Sequence, residues 1–169
     1  VQSSFADRRY YWGMDIQVQG GLFGKGPLLH PIVPSTAAGG PVYKLIDGYN
    51  TASLTPTQFI LASDKVYRRV DDTGVGQVVD RNTPAVHIMD GVVFQGGFAG
   101  ATRSLYVAHS NGALWERVPA GTWTDCALPA GFAVHRVEVI GTELWAADVN
   151  ATVVRKVTAD PKVPANWSG

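Results

Sequence analysis

The residues of this chain that could do chemistry are four histidines, one cysteine and a scatter of charges, none in a recognisable catalytic spacing. His87 and His135 both follow Ala-Val, in "AVHIMD" and "AVHRVEV". A position that recurs is a structural one, and equivalent residues of neighbouring repeats stand too far apart to share a metal, so both are expected to pack with hydrogen bonds. His109, in "SLYVAHSNGALWERV", follows a strand and precedes a turn and is expected to be a solvated loop residue, while His30 has no visible partner. Cys126, in "TWTDCALP", reads as an inert buried thiol. Asp71 and Asp72 lack the alternating oxygen ligands of a calcium loop and read as a solvated turn. Arg68, Arg69, Arg81, Arg103 and Arg117 could gather on an anion, but most sit at strand ends or turns, which accounts for them structurally. "FQGGFAG" has no P-loop lysine, and no Gly-x-Ser-x-Gly elbow is present. The expectation is a protein that is not an enzyme and carries no cofactor or metal.

Aromatic residues are the more informative class. Trp115, Trp123, Trp145 and Trp167 lie on strand positions, where most are expected to form core. Ring faces also stack on sugars or on a partner. Trp115, Trp123, Trp145 and Tyr106 are therefore the candidate ligand or interface residues, together with Phe23, Leu28 and Leu29 near the N-terminus.

The elements that must position these residues are strands. Only 17% of the 169 residues are charged while 46% are hydrophobic, and 19 glycines with 10 prolines supply many turns, which together indicate an all-β chain. Fourteen Lys+Arg balance fourteen Asp+Glu, so neither nucleic acid nor an anionic membrane surface is an expected partner. No apolar run is long enough to span a membrane, and "VQSSFADRRYYW" has no signal-peptide core. In Ser104–Val118, alternating apolar residues flank Ser110-Asn111-Gly112, the pattern of a β-hairpin with one buried face.

That hairpin has two relatives, "QFILASDKVYRRV" (Gln58–Val70) and "ELWAADVNATVVRKV" (Glu143–Val157). Upstream of the three lie "PVYKLID", "AVHIMD" and "AVHRVEV"; downstream lie "GQVVD", "TWTD" and "ANWS". Val42 to Val86 is 44 residues and Val86 to Val134 is 48. A four-stranded unit repeating every 40 to 50 residues or so is the plan of a β-propeller blade. Leu105, Val107, Leu114, Val137, Val139, Leu144 and Ala146 are the expected core. The first forty residues differ: a strand is expected at Asp15–Gln19, but the following glycines and prolines read as an extended arm with apolar anchors.

The chain resembles the β-propeller superfamily over residues 41–169, and "LYVAHSNGALWERVPAGTWTDCALPAG" is similar to sialidase-like and lectin-like blades, although the WD40 signature and the sialidase Asp-box are absent. The resemblance implies a partial β-propeller of about three four-stranded blades (units about 41–83, 84–131 and 132–169) preceded by an extended N-terminal arm, 1–40. The arm-plus-propeller layout also resembles bacteriophage virion components. It implies a non-enzymatic structural or attachment module, a phage tail or capsid-associated protein, located in a virion or outside the cell. The alternatives are a carbohydrate-binding propeller that meets a cell-surface glycan, and a sialidase-type glycoside hydrolase. Three blades are too few to close a ring, so the expected partners are other protein subunits, with the ring completed by another chain or by further sequence.

Overall fold

The computed structural model describes residues 16–19, 22–25, 42–47, 58–69, 77–82 and 86–169. All regular structure in them is β apart from a single 3-10 turn at Pro164–Asn166. The chain divides into two units, Val1–Ile32 and Val33–Gly169.

In the first unit, β1 (Ile16–Gln19) pairs antiparallel with β2 (Leu22–Lys25), Gln19 lying opposite Leu22. The expectation that regular structure stops after Gln19 is thereby corrected. A Gly-Gly pair between two strands is a favoured two-residue hairpin connection, because glycine tolerates the positive φ such turns require.

Among its described residues the second unit contains three antiparallel sheets, each a simple meander. The first is β3 (Val42–Asp47), β4 (Gln58–Ala62), β5 (Lys65–Arg69) and β6 (Gln77–Asn82). The second is β7 (Ile88–Phe94), β8 (Ser104–His109), β9 (Leu114–Arg117) and β10 (Trp123–Cys126). The third is β11 (Arg136–Ile140), β12 (Glu143–Ala147) and β13 (Val154–Val157), and the "ANWS" segment adds only an antiparallel bridge from Ser168 to Lys156 in place of a fourth strand.

Alternation along the strands decides how the sheets stack. Ile46, Phe59, Leu61 and Val66 of the first sheet pack against Ile88, Leu105 and Val107 of the second. The intervening residues of the second sheet, Phe94, Tyr106, Ala108, Leu114 and Cys126, pack against Val137, Leu144, Ala146 and Val157 of the third, with Phe132, Val134 and Trp167 beside them. The second sheet is thus covered on both faces, and β8 is buried at every position. The sequence reading of one buried face is corrected here: "LYVA" is a continuous apolar run because both sides of the strand meet protein. Of the seven expected core residues six are buried, and Val139 is half-buried at the edge of the second cluster.

The first strands of the three sheets are neighbours, β3 beside β7 and β7 beside β11. Asp90 ties them together. Its carboxylate accepts from Lys44 Nζ of β3 (2.9 Å) and from the Val137 N–H of β11 (3.0 Å). Gly91 lets β7 come this close, since a Cβ there would stand 2.9 Å from Leu61 Cδ1.

The β8–β9 turn follows the expected Asn-Gly chemistry. Gly112 has φ +84° and donates to the His109 carbonyl (2.9 Å), and Asn111 Oδ1 accepts from the Ala113 N–H (3.1 Å). A Cβ at Gly112 would also lie 2.5 Å from the Cβ of Ala133. Gly112→Val is therefore expected to cost about 2 to 4 kcal/mol, combining left-handed strain with a steric clash. Urea denaturation measures it, and a cost under about 0.5 kcal/mol would contradict this geometry.

Candidate functional site

Charged and aromatic side chains collect at the two junctions between sheets. At the first junction Asp80 of β6 is the hub, with its side chain only 6% exposed. Arg117 of β9 donates to both its oxygens, Nη2 to Oδ1 at 2.9 Å and Nε to Oδ2. Trp123 Nε1 donates to Oδ2 at 3.0 Å, and Arg68 lies 3.0 Å from Oδ1. The neighbouring Arg81 stacks its guanidinium over Trp115 (3.8 Å) and Trp123 (4.8 Å). Three of the arginines singled out from sequence thus gather around one carboxylate and two indoles. They are spent on each other, and the ring faces of Trp115 and Trp123 that meet Arg81 stack a cation of the chain itself. Arg103 stands apart and exposed.

The second junction is held by Glu116. Its carboxylate, 4% exposed, accepts from Tyr106 Oη (2.9 Å) and from Lys162 Nζ (2.6 Å), while Lys162 also meets Asp160 (3.2 Å). Burial, and then the adjacent Glu116 charge, push the Tyr106 hydroxyl well above the ordinary phenol range. The Cys126 thiol is raised too, first by burial and then by Glu116, which keeps it protonated and inert as expected. Tyr106, 1% exposed, is therefore a buried residue of this junction.

His109 corrects the sequence reading. It is 2% exposed, on the same side of β8 as Leu105 and Val107, and its Nε2 has no hydrogen-bond partner among the described residues. The signal was available, because His109 continues the i, i+2, i+4 series of that face. Burial, then the charge of Arg81, lower its pKa to about 4. The folded state holds it neutral, whereas in the unfolded chain it takes a proton near pH 6.5. Its contribution is thus intact above pH 6.5 and is lost progressively as the pH falls from 6.5 to 4. Relative to a His109→Gln variant, the wild type is expected to lose about 3 kcal/mol over that window. Parallel pH–stability curves for the two proteins would contradict it.

His135 Nε2 lies 3.3 Å from the Ser110 carbonyl, and the His87 N–H donates to Ser110 Oγ (3.1 Å), so the β8–β9 turn holds both histidine segments. Among the described residues no group of three His, Cys, Asp or Glu could hold a metal. Leu28, Leu29, His30, Asp71 and Asp72 lie outside the described residues, and of Phe23 only its place in β2 is described.

Trp145 is placed differently from the other candidates. On the second strand of each sheet one aromatic points toward the sheet that comes next in the chain. Phe59 does so in the first sheet and is fully buried; Tyr106 does so in the second and is 1% exposed. Trp145 has this orientation in the third sheet, paired with Glu138 and Lys156 on a face that no described sheet covers. Ile140 (55% exposed), Ala147 and Val154 (43%) line the same face, around a hollow of about 280 Å³. Glu143 braces the indole there, accepting from Trp145 Nε1 (3.1 Å) and Lys156 Nζ (2.8 Å).

No protein-family model, curated protein or solved structure matches the chain.

Proposed function

We propose that the chain is a non-enzymatic structural and attachment module of a larger assembly, built from successive β-propeller blades and carried by a virion as a tail or capsid-associated subunit. The propeller reading is supported by the meander order in each sheet, the stacking of the sheets in chain order, and the adjacency of β3, β7 and β11 around Asp90. The virion setting draws on the likeness of an arm-plus-propeller layout to phage components and is a fold-level analogy.

One observation carries the assembly reading. The next-sheet faces of the first and second sheets are buried, while the same face of the third presents Ile140 and Val154 to solvent with Trp145 half-buried between them. Stacked repeat units bury a core that no unit buries alone, so this face is where another chain, or further sequence, continues the row. The ion pairs at the junctions favour a structural role as well. Asp80 with Arg117, Glu116 with Lys162 and Asp90 with Lys44 each join one sheet to another or to the segment beside it.

Immunogold labelling of purified particles from the source, with antibody to this chain, tests the proposal. Label at regular positions on the particles is the expected result. Chain found only in the soluble fraction would overturn it.

A carbohydrate-binding module is the second reading, and Trp145 is what favours it: an indole beside a hollow with Glu138 and Arg136 at its rim has the chemistry of a sugar platform. Glycan-array binding lost on Trp145→Ala, with the fold retained, would replace the first reading by this one.

A further inference from the structure

We propose that the open face of the third sheet pairs with the same face of a second copy of this chain across a two-fold axis. The inference rests on the reading of that face as an assembly surface and names its partner.

Three observations select the partner. The first is charge. Arg136 and Glu138 stand two residues apart on β11, both exposed and both on the open face. The Arg136 guanidinium donates only to backbone carbonyls, those of His135 and Met89. The carboxylate of Glu138 accepts only from the neighbouring Val139 N–H. Each is thus without an opposite charge among the described residues. A two-fold axis that lies between the faces and crosses the strands level with Val137 makes the two β11 strands antiparallel and sets Arg136 of each copy opposite Glu138 of the other. Sheets that pack face to face stand about 10 Å apart, a gap that an arginine and a glutamate side chain span together. A surface carrying one unpaired cation and one unpaired anion at this spacing is complementary to itself, the condition an isologous interface must meet.

The second observation is apolar. Ile140, Ala147 and Val154 flank the charged pair. The same two-fold sets Trp145 of each copy opposite Ala147 of the other and Val154 opposite the stem of Lys156, so the pairing buries the indole against hydrocarbon beside the matched charges.

The third observation excludes the obvious alternative, in which the open face of one copy receives the far face of the first sheet of another and two copies make a ring of six blades. On that far face Ile60 and Ala62 are fully buried and Tyr67 is 3% exposed, so the centre of the receiving surface is already closed, although Val42 and Val79 at its margins are exposed. Face-to-face pairing needs only the surface that is open.

The test is a charge-swap series on the full chain, followed by sedimentation velocity over a concentration range, with circular dichroism confirming that each variant is folded. The wild type is expected to form a concentration-dependent dimer. Arg136→Glu alone and Glu138→Arg alone each set like charges opposite one another and are expected to weaken it at least tenfold. The double variant, Arg136→Glu with Glu138→Arg, recreates self-complementarity and is expected to recover dimerisation. A wild type that is monomeric throughout overturns self-pairing; the assembly reading is judged separately, by labelling of the particle. A dimer indifferent to both single reversals, or a double variant no better than the singles, overturns the assignment to this face.

Discussion

Replacing Asp80 by alanine is expected to destabilise the fold by about 3 to 5 kcal/mol, the cost of leaving a buried charge without its partner. The partner is Arg117, whose side chain is 3% exposed and reaches across the first junction from β9 to β6. Arg117 also lies over the Phe59 ring (5.2 Å to the centroid) and donates to the Val118 carbonyl (3.1 Å), neither of which supplies the negative charge lost with the carboxylate. The same substitution strips an acceptor from Trp123 Nε1 and a counter-charge from Arg68. Arg117→Leu combined with Asp80→Leu should cost less than Asp80→Ala alone, because removing both charges removes the desolvation penalty with them. Denaturant titration of the two variants measures the difference. A loss below about 1 kcal/mol for Asp80→Ala would place this pair in the class of solvated surface ion pairs and contradict the junction described above.

The second large effect belongs to the other junction. Leu144 of β12 is fully buried, pointing back toward the second sheet among Tyr106, Ala108 and Leu114. Leu144→Ala removes three carbon atoms from a packed site and leaves a cavity, and is expected to cost about 2 to 5 kcal/mol. Val149, in the β12–β13 connection and 64% exposed, is the control: Val149→Ala should fall within about 0.5 kcal/mol of the wild type. Equal losses for the two would mean that the third sheet does not stack on the second in the way described.

Which strands form was legible in the sequence, because strand period and turn chemistry are local. The alternation in "QFILASDKVYRRV", the Asn111-Gly112 turn and the recurrence of four apolar runs per unit all depend on residues close in the chain. Which faces meet was harder to read. The turn that follows His109 suggests a solvated residue, yet its face is set by the phase of Leu105 and Val107, and its burial by a sheet that begins with Val42.

The junction pairs left no local trace. Asp80 and Arg117 are 37 residues apart and Glu116 and Lys162 are 46 apart, so nothing in either neighbourhood announces the other. Trp115, Trp123 and Trp145 looked alike in the sequence, and only the stacking separates them. The first two are capped by Arg81, which the repeat pattern assigned to a strand end, while Trp145 stands on the face left open. "ANWS" has the composition of a fourth strand, but Pro164 opens a 3-10 turn there and leaves one bridge at Ser168.

The most direct measurement is a cryo-electron-microscopy reconstruction of the assembly that contains this chain, read at the third sheet. The expected finding is a second β-sheet packed about 10 Å from β11, β12 and β13, covering Ile140, Trp145 and Val154, the spacing of any two sheets stacked face to face. A reconstruction in which the chain is fully incorporated while that face looks onto solvent would contradict it.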